Sequence, residues 1–416
     1  MKSALPALLC VVILAGCANP GADRLAEGEW RAWLDSPGGE LPIGLEVSRA
    51  GAELEVVIIN GSERIRVPRV ETNGAELVLG IDHYDATIVA TVTEGGRRLS
   101  GRWEKTAGQG ITSGLPFRAT AGRQERFPVD ASASRVEAAS VDGRWTVDFS
   151  SSDDPAVGIF SSSPDGGVEG TFLTTTGDYR YLAGQFDGQR LRLSCFDGAH
   201  AFLFDARLQQ DGTLAGDFWS RDSWHETWAA RRDPDAGLGD AFARVHAVDG
   251  VDLDDISYPD LDGLPRFLDD PQFAGRARIL FVFGSWCPNC GDATRLMVEL
   301  DRRYRERGLS IVGLAFEMTG DLQRDTEQVR RYAEHHDVEY PLLIAGRSDK
   351  TEASTAFAVI DRVRAYPTMV FLDRAGEVRA VYSGFSGPAT GEAHEDLRRR
   401  FETLIEELLD EEQAGA

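Results

Sequence analysis

The sequence predicts a multidomain protein in which two tandem antiparallel all-β repeats, each a barrel or a sandwich, precede one α/β domain. A chain of 416 residues is long enough for about two to three domains, each able to bury its own core. Short alternating apolar runs, separated by turns that contain Gly, Asn and Asp, fill the first half and are typical of strands. In the second half, continuous apolar runs alternate with helical periods, as in α/β folds.

The chain begins with a segment that predicts export. Lys2 precedes an apolar run at residues 4–14, which is too short to span a membrane as a permanent helix. The run ends in Leu-Ala-Gly followed by Cys17, which resembles the signal of bacterial lipoproteins, where cleavage before the cysteine precedes its acylation. The alternative is a plain secretory signal in which this cysteine occurs by chance.

The lipoprotein interpretation makes residues 1–16 a signal peptide and residues 17–27 a tether that is lipidated at Cys17. The protein would then be extracytoplasmic and anchored to the periplasmic face of a membrane. Ala18 is not the aspartate that resembles an inner-membrane retention signal, so outer-membrane sorting is favoured in a cell with two membranes.

Residues 28–122 carry a β pattern without a helical period of useful length. The predicted strands there lie at residues 45–47, 54–58, 65–67, 77–81, 88–92 and 99–103. The pattern then restarts at an offset of 115 residues, because Trp30 corresponds to Trp145 and Trp103 corresponds to Phe218. We interpret this correspondence as an internal duplication.

The duplication places a linker at residues 123–140 and repeat 2 at residues 141–232, and it predicts about seven or eight short strands per unit. The repeats could bind a ligand or a client, since the Gly-x-Trp at each start resembles the first strand of lipocalin-type barrels. The favoured alternative is a spacer that lifts the last domain off the membrane. Its large aromatic side chains would then be core residues; they are Trp103, Phe218, Trp219, Trp224 and Trp228.

The charge balance argues against two classes of partner. The chain has 68 acidic and 44 basic residues, which gives a formal net charge of −24. Nucleic acid and anionic lipid both attract basic surfaces, so neither is a predicted partner through electrostatic attraction.

A short stretch in the second half carries the predicted chemistry. An apolar run at residues 279–283 indicates a buried strand, and the helical period that follows places Cys287 at a helix N-terminus, where free N–H groups and the helix dipole favour a thiolate. Cys290 lies one turn further on, close enough for a disulfide that opens easily. Thiol–disulfide exchange needs such a pair, with Cys287 as the attacking thiol and Cys290 as the resolving thiol.

A zinc half-site is the alternative use of this cysteine pair. Zinc requires a second pair of ligands, and the sequence contains no other Cys-x-x-Cys. His335 and His336 are adjacent on a predicted helix and face different directions, and nothing completes a site with His394. We therefore predict no metal and no cofactor.

Two motifs carry a family resemblance. Trp286-Cys287-Pro288-Asn289-Cys290 follows one strand, and Tyr366-Pro367-Thr368 precedes another. This combination resembles the thioredoxin fold, and in particular it is similar to the TlpA/ResA-like membrane-anchored thiol–disulfide oxidoreductases. The resemblance covers about residues 245–409, which is under half of the chain.

The resemblance implies roles for the residues around the cysteines. Pro367 would be a cis-proline that faces the redox pair, and Tyr366 would pair with the substrate backbone. Pro288 and Asn289 would contact substrate, and Trp286 would shield the pair and offer a surface to the client.

Two acidic positions known from related families are not acidic here. Thioredoxins have a buried acid where this chain has Phe281, and ResA-like proteins have a glutamate where it has Ala293. Asp292 is one residue off and is expected to point to a different face. Glu317, just past an apolar run at the same predicted sheet edge as Cys287, is the candidate proton carrier, because burial would raise its pKa. The alternative is a solvated loop carboxylate.

The α/β domain is predicted at residues 245–416, after a linker at residues 233–244. Its strands are predicted at residues 279–283, 309–316, 341–344, 369–372 and 378–382, and its helices at residues 289–306, 323–336 and 392–409. Ahead of these elements, the pattern indicates a strand near residues 256–258 and a short helix near residues 264–268.

The other cysteines are not assigned to the redox site. Cys10 would leave with the signal peptide. Cys195 shares the alternation phase of Leu191 and Leu193, so we expect an inert core residue rather than a third redox thiol.

The predicted function is a membrane-anchored extracytoplasmic thiol–disulfide oxidoreductase that reduces protein disulfides through Cys287 and Cys290. Its partners would be disulfide-bearing client proteins and an upstream thiol donor, and the direction of electron flow follows from the resemblance alone. One alternative is a lipoprotein whose repeats bind a ligand or partner, with the thiols accessory. A peroxiredoxin-like peroxidase is disfavoured, because its pattern requires Pro and Thr where Leu280 and Gly284 stand.

Overall fold

The computed structural model describes residues 25–106, 112–128, 140–164 and 166–411. The predicted signal peptide, the lipidation site Cys17 and most of the predicted linker after repeat 1 lie outside the described residues. The predicted fold class is confirmed, since two antiparallel β units precede an α/β domain. No helix within the four described ranges is long and apolar enough to cross a membrane.

Repeat 1 is a nine-stranded antiparallel sheet with the order β4-β3-β2-β1-β9-β8-β7-β6-β5. Its strands are β1 Gly28–Ser36, β2 Gly39–Ala50, β3 Glu53–Asn60, β4 Glu63–Arg66, β5 Arg69–Asn73, β6 Glu76–Ile81, β7 Ala86–Thr93, β8 Arg98–Thr106 and β9 Thr112–Ala121. All six predicted runs lie in these strands, whereas β1, β5 and β9 have no predicted counterpart. Strand β5 is short, polar and mostly exposed, so it lacks the alternation of a half-buried strand.

Repeat 2 is a closed barrel of eight antiparallel strands. They are β10 Gly143–Phe149, β11 Ala156–Ser162, β12 Gly167–Thr174, β13 Leu182–Phe186, β14 Arg190–Phe196, β15 Ala201–Leu208, β16 Leu214–Ser220 and β17 Trp224–Arg232. Aromatic rings from neighbouring and from non-neighbouring strands pack inside it, with the centroids of Phe204 and Phe218 4.3 Å apart and those of Phe172 and Trp228 5.1 Å apart. The barrel is therefore filled by its own side chains.

The proposed duplication has a structural counterpart at the start of each repeat. The indole of Trp30 in β1 donates to the carbonyl oxygen of Ala26 at 2.9 Å, and the indole of Trp145 in β10 donates to that of Val141 at the same distance. Both bonds span four residues and anchor the segment that leads into the first strand. The equivalent bonds support a common origin of the two repeats.

The α/β domain is built on a five-stranded mixed sheet with the order β22-β21-β20-β23-β24. The strands are β20 Ala277–Phe283, β21 Leu309–Glu317, β22 Leu342–Arg347, β23 Thr368–Leu372 and β24 Val378–Ser383, and the helices are α1 Pro288–Tyr304, α2 Leu322–His335, α3 Lys350–Ala356 and α4 Glu392–Asp410. Strand β20 is buried along its whole length, as its continuous apolar run predicts.

One predicted element is wrong and one is missing. The helix predicted near residues 264–268 is strand β19 (Pro265–Phe267), which pairs with β18 (Ser257–Pro259). The carboxylate of Asp260 accepts the backbone N–H of Leu264 at 2.9 Å, which closes a tight turn and forms a hairpin where a single turn of helix is marginal. Helix α3 has no predicted counterpart, because its 7 residues are too few to show a helical period.

The two repeats pack directly on each other, and the described start of the predicted linker takes part in their interface. Arg126, in the segment after β9, donates to the carbonyl oxygen of Ile59 in repeat 1 and to the hydroxyl of Ser194 in repeat 2, at 3.0 and 2.9 Å. The indole of Trp103 crosses the same interface and donates to the carbonyl oxygen of Gly198 at 3.1 Å. The repeats therefore form one packed body.

A buried guanidinium joins this body to the α/β domain. Arg180, in the loop before β13, pairs with Glu63 of repeat 1, Asp197 of repeat 2 and Asp292 of helix α1. The Arg180 side chain is 3% exposed, and the three carboxylate side chains are 10% exposed or less. Each unit thus contributes a carboxylate to one cation, and we call these four residues the Arg180 cluster.

Replacing Arg180 should destabilise the whole protein. Arg180→Leu leaves three buried carboxylates without their cation, and breaking buried pairs in this way typically costs about 3 to 5 kcal/mol. Urea denaturation of the wild type and the variant measures the difference in the free energy of unfolding.

Arg190→Leu is the matched control, because it breaks a pair with Asp205 in the same repeat whose side chains are 39% and 23% exposed. That variant should lose less than about 1 kcal/mol. Equal losses in the two variants would contradict a joining role for the Arg180 cluster.

Candidate functional site

Residues 284–290, here called the redox loop, connect strand β20 to helix α1. Pro288 is the first helical residue, where its fixed φ suits a helix start and its missing N–H is not needed. Cys287 is the N-cap, and its Sγ accepts the backbone N–H of Cys290 at 3.4 Å. The backbone N–H of Cys287 also donates to the carbonyl oxygen of Gly284 at 3.1 Å. Local sequence therefore fixes the sulfur of Cys287 at the helix start.

The two thiols differ in acidity, because their surroundings shift their pKa values in opposite directions. The pKa of Cys287 is lowered, first because the Cys290 thiol donates a hydrogen bond to it and then because backbone N–H groups and the ammonium of Lys105 favour the thiolate, although burial opposes the change. The pKa of Cys290 is raised well above its usual range, mainly by burial and also by that donated bond. This asymmetry favours the thiolate at Cys287 and the protonated thiol at Cys290.

The two motifs that carry the resemblance meet in space. The Tyr366–Pro367 peptide bond is cis, as the resemblance implies. The Sγ of Cys287 lies 3.6 Å from the carbonyl oxygen of Tyr366, and the rings of Tyr366 and Trp286 meet edge to face with centroids 5.4 Å apart. The indole N–H of Trp286 donates to the carbonyl oxygen of Phe316 at 2.9 Å, which holds its ring against the sheet edge. The carbonyl oxygen of Tyr366, which precedes the cis bond to Pro367, thus lies beside the Cys287 sulfur, and Trp286 packs against the Tyr366 ring.

Glu317 is a buried acid at the end of strand β21, so the alternative of a solvated loop carboxylate is wrong. It is 2% exposed, and it accepts the backbone N–H of Ser285 at 2.8 Å and the hydroxyl of Ser285 at 2.7 Å. Burial raises the pKa of Glu317 to about 7 although these hydrogen bonds oppose the shift. Its carboxylate contributes to the raised pKa of Cys290, which places it within electrostatic range of that thiol.

Repeat 2 contacts the redox loop beside the cysteines. The side-chain amide of Asn289 donates to the backbone carbonyl oxygen of Asp178 at 3.1 Å. Gly177 lies so close that a Cβ there would approach the Asn289 amide nitrogen to 2.1 Å. Pro288 is buried. The protein itself therefore covers Pro288 and Asn289, the two residues of the redox loop that were expected to contact substrate.

Repeat 1 covers the other side of the loop. Nζ of Lys105 donates to the carbonyl oxygen of Trp286 at 3.3 Å. A 3-10 helix at Asp82–Tyr84 lies against helix α2, where the amide of Gln328 donates to the carbonyl oxygen of His83 at 2.9 Å. The sequence analysis did not identify Lys105 or the 3-10 helix, and the one local signal is the scarcity of lysine, which occurs three times in the chain.

Both repeats touch the redox loop, repeat 1 through Lys105 and repeat 2 through Asn289. These contacts go beyond the spacer interpretation, which only places the repeats between the membrane and the α/β domain and stays a prediction. The prediction that the large aromatic side chains of the repeats are core residues is only partly correct. Trp103, Phe218 and Trp228 are at most 3% exposed, but Trp224 is 50% exposed and bonds to Glu226 at the barrel rim.

His83 and His335 meet where repeat 1 packs against helix α2. No group of three or more potential ligands lies together anywhere in the described ranges. Instead, the rings of His83 and His335 stack with centroids 3.6 Å apart, between repeat 1 and helix α2. Burial lowers the pKa of His83 to about 3, which keeps its ring neutral in this interface.

Cys195 belongs to the core of repeat 2, as its alternation phase predicts. It is fully buried, and burial raises the pKa of its thiol well above the usual range. A protonated, inaccessible thiol is a poor nucleophile, so Cys195 is inert toward exchange.

Comparison with known proteins agrees with this geometry. Residues 250–381 match the model of the AhpC/TSA family. The thiol-disulfide oxidoreductase ResA of Bacillus thuringiensis is 29% identical over 120 residues, which are 29% of this chain and 60% of that protein. ResA of Geobacillus kaustophilus is 24% identical over 155 residues, which are 37% of this chain and 77% of that protein. The resemblance to TlpA/ResA-like proteins is thereby confirmed, although the chain spans only about three fifths of the first relative's length.

Solved structures also align with part of the chain. A thiol:disulfide interchange protein of the thioredoxin family from Chlorobium tepidum is 23% identical, and the alignment covers 37% of this chain and 92% of that one, with a TM-score of 0.29. A secreted disulfide oxidoreductase from Mycobacterium tuberculosis is 16% identical over 35% of this chain and 95% of its own, with a TM-score of 0.26.

Alkylation of the reduced protein should label Cys287 before Cys290. Cys287 combines the lowered pKa with 8% exposure, whereas Cys290 has a raised pKa and no exposure. Peptide mapping after brief treatment with iodoacetamide at neutral pH measures the order of labelling. Labelling of Cys290 first would reverse the roles given to the two thiols.

Proposed function

We propose that the protein is a membrane-anchored extracytoplasmic thiol–disulfide oxidoreductase that reduces protein disulfides through Cys287 and Cys290. The observation that carries the proposal is the helix-capping sulfur of Cys287, which accepts the Cys290 N–H at 3.4 Å beside a thiol of raised pKa. The ResA proteins that resemble the chain are named for the same activity.

The first step is attack by the Cys287 thiolate on one sulfur of a client disulfide. The client S–S bond breaks, a mixed disulfide with Cys287 forms, and the other client sulfur leaves as a thiolate that takes up a proton. Tyr366 contacts the attacking sulfur through its carbonyl oxygen and contacts Trp286 through its ring, so we assign client binding to Trp286, Tyr366 and the adjacent Pro367. Asn289 and Pro288 would reach substrate only after repeat 2 withdraws.

The second step resolves the mixed disulfide. Cys290 must lose its proton to attack the Cys287 sulfur, and its raised pKa makes this loss unfavourable without a base. We assign the base to Glu317, whose pKa of about 7 lets it accept a proton at neutral pH and return it to solvent or to the departing sulfur. The second client thiolate is released, the Cys287–Cys290 disulfide forms, and two electrons have passed to the client.

The remaining partners follow from the same chemistry. An upstream thiol donor, outside this chain, must reduce the Cys287–Cys290 disulfide after each cycle. Lipidation at Cys17 would hold the protein on a membrane facing the compartment where disulfides persist. Because Cys287 is 8% exposed and Cys290 is not exposed at all, a neighbouring element must shift before a protein client reaches the sulfur.

Cysteine variants test the proposed activity. Cys287→Ser should abolish reduction of insulin disulfides, since it removes the nucleophile. Cys290→Ser should accumulate a mixed disulfide with the client, since it removes the resolving thiol. Non-reducing gel electrophoresis detects the trapped species, and Cys195→Ser, outside the site, is the control that should retain wild-type rates. Full activity in Cys287→Ser would refute the proposal.

Glu317→Gln tests the proton carrier. The amide keeps the size of the side chain and can still accept the Ser285 N–H, but it cannot take a proton. Exchange should slow by roughly ten- to a thousand-fold, the lower part of the range for general acid–base catalysis. Single-turnover rates from the mixed disulfide should fall more than rates of its formation. An unchanged resolution rate would exclude Glu317 from the reaction.

The same variant has a stability readout. Because the pKa of Glu317 in the folded state is raised to about 7 from its ordinary value of 4.5, the folded state holds this proton more tightly than the unfolded chain does. This contribution is complete below about pH 4.5 and is lost as the pH rises through 7, an amount on the order of 3 kcal/mol. Glu317→Gln should therefore gain stability relative to wild type above pH 7.

A further inference from the structure

Repeat 1 places a buried ammonium group against the redox loop of the neighbouring domain. Lys105, in strand β8, is 5% exposed, and its Nζ donates to the carbonyl oxygens of Tyr84 at 3.0 Å and Trp286 at 3.3 Å. It also lies 5.7 Å from the centroid of the Tyr84 ring. Trp286 immediately precedes Cys287, so these bonds fix a cation beside the nucleophile from outside the α/β domain.

The hydrogen-bond acceptors of Lys105 carry no negative charge. Both of its hydrogen bonds go to neutral carbonyl oxygens, and no carboxylate among the described residues forms an ion pair with it. A buried cation is unfavourable unless a negative charge lies nearby. The Cys287 thiolate is the anion that the proposed chemistry creates at this place.

The surrounding charges leave Lys105 protonated when the thiolate is needed. Burial, together with the charge of Arg221, lowers the pKa of Lys105 to about 8 against the opposing effects of Asp197, Asp85 and Cys287, so the ammonium form predominates at neutral pH. Around Cys287, the neighbouring Tyr84 and Tyr366 both have raised pKa values and remain neutral, and the charge of Glu317 acts on Cys290. Lys105 is thus the facing group whose charge favours the thiolate.

The choice of residue type is informative. Of the 44 basic residues only three are lysines, at positions 2, 105 and 350, and the others are arginines. Arginine serves the surface pairs and the Arg180 cluster. Lysine offers a compact charge that fits between two carbonyl oxygens, where a planar guanidinium would need more room.

We propose that Lys105 is a positioning residue of the redox site, whose ammonium stabilises the Cys287 thiolate through space, so that docking of repeat 1 sets the reactivity of the thiol. This inference rests on the proposed function. No bond to Lys105 forms or breaks, since the electron pair of Cys287 attacks the client sulfur and the client thiolate leaves. Stabilising the thiolate favours the reduced form of the pair, so Lys105 also makes the Cys287–Cys290 couple more oxidising.

Lys105→Met tests the inference in the full-length protein, because it keeps the stem of the side chain and removes the charge. Iodoacetamide alkylation of Cys287 should slow by roughly three- to tenfold at pH 7, and the pH profile should move to higher pH. The reduction potential of the pair, measured against glutathione, should become more negative. Lys350→Met is the matched control, because it removes an exposed lysine in helix α3, and it should change neither readout.

The outcomes separate this inference from the proposed function. Wild-type exchange with unchanged alkylation and potential in Lys105→Met would overturn the role of Lys105 alone. A wild type that reduces no disulfide faster than Cys287→Ser would overturn the proposed function. If Lys105→Met does not fold, reciprocal linkage gives the same test in folded protein, since the pKa of Lys105 must fall in Cys287→Ser. An unchanged Lys105 titration there would equally overturn the inference.

Discussion

The buried guanidinium of Arg180 is the interaction on which the arrangement of the three units depends. It faces carboxylates of repeat 1, repeat 2 and helix α1, which are Glu63, Asp197 and Asp292. Burying a carboxylate is costly unless a cation faces it, and Arg180 is the one guanidinium that faces all three of these carboxylates in the described residues. Such an interface is specific in geometry, because a shifted orientation would leave charges unpaired. The position of Asp292, two residues after Cys290, brings this constraint to the first turns of the redox helix.

Docking in turn completes the surroundings of the thiols. Repeat 2 contacts the redox loop at Asn289, and repeat 1 contacts it at the carbonyl oxygen of Trp286. Helix α2 is held to repeat 1 by the stacked rings of His83 and His335 and by an ion pair between Arg324 and Asp85. The acidity and the accessibility of Cys287 are therefore properties of the whole chain rather than of the α/β domain alone.

The two repeats contribute different contacts to these surroundings. Repeat 2 closes into a barrel filled by aromatic rings, which makes it a rigid support for the loop that carries Arg180. Repeat 1 is a longer sheet that is not joined edge to edge, and it inserts the 3-10 helix Asp82–Tyr84 and Lys105 between itself and the redox domain. Their shared Trp anchors, Trp30 and Trp145, preserve the start of each unit while the contact surfaces differ.

Much of the site was accessible from the sequence by itself, because its signals are local. The strand before Cys287, the helix start and the burial phase of Cys195 follow from residue order, and the position of Glu317 follows from the end of an apolar run. The sequence could not predict the roles of Lys105 and Arg180. Lys105 contacts the redox domain at Trp286, which lies 181 residues further along the chain. Arg180 contacts it at Asp292, within a cluster that joins all three units. Contacts between such distant residues leave no periodicity in the chain. Only the tertiary structure, by burying these charges together, decided that the β repeats belong to the redox site.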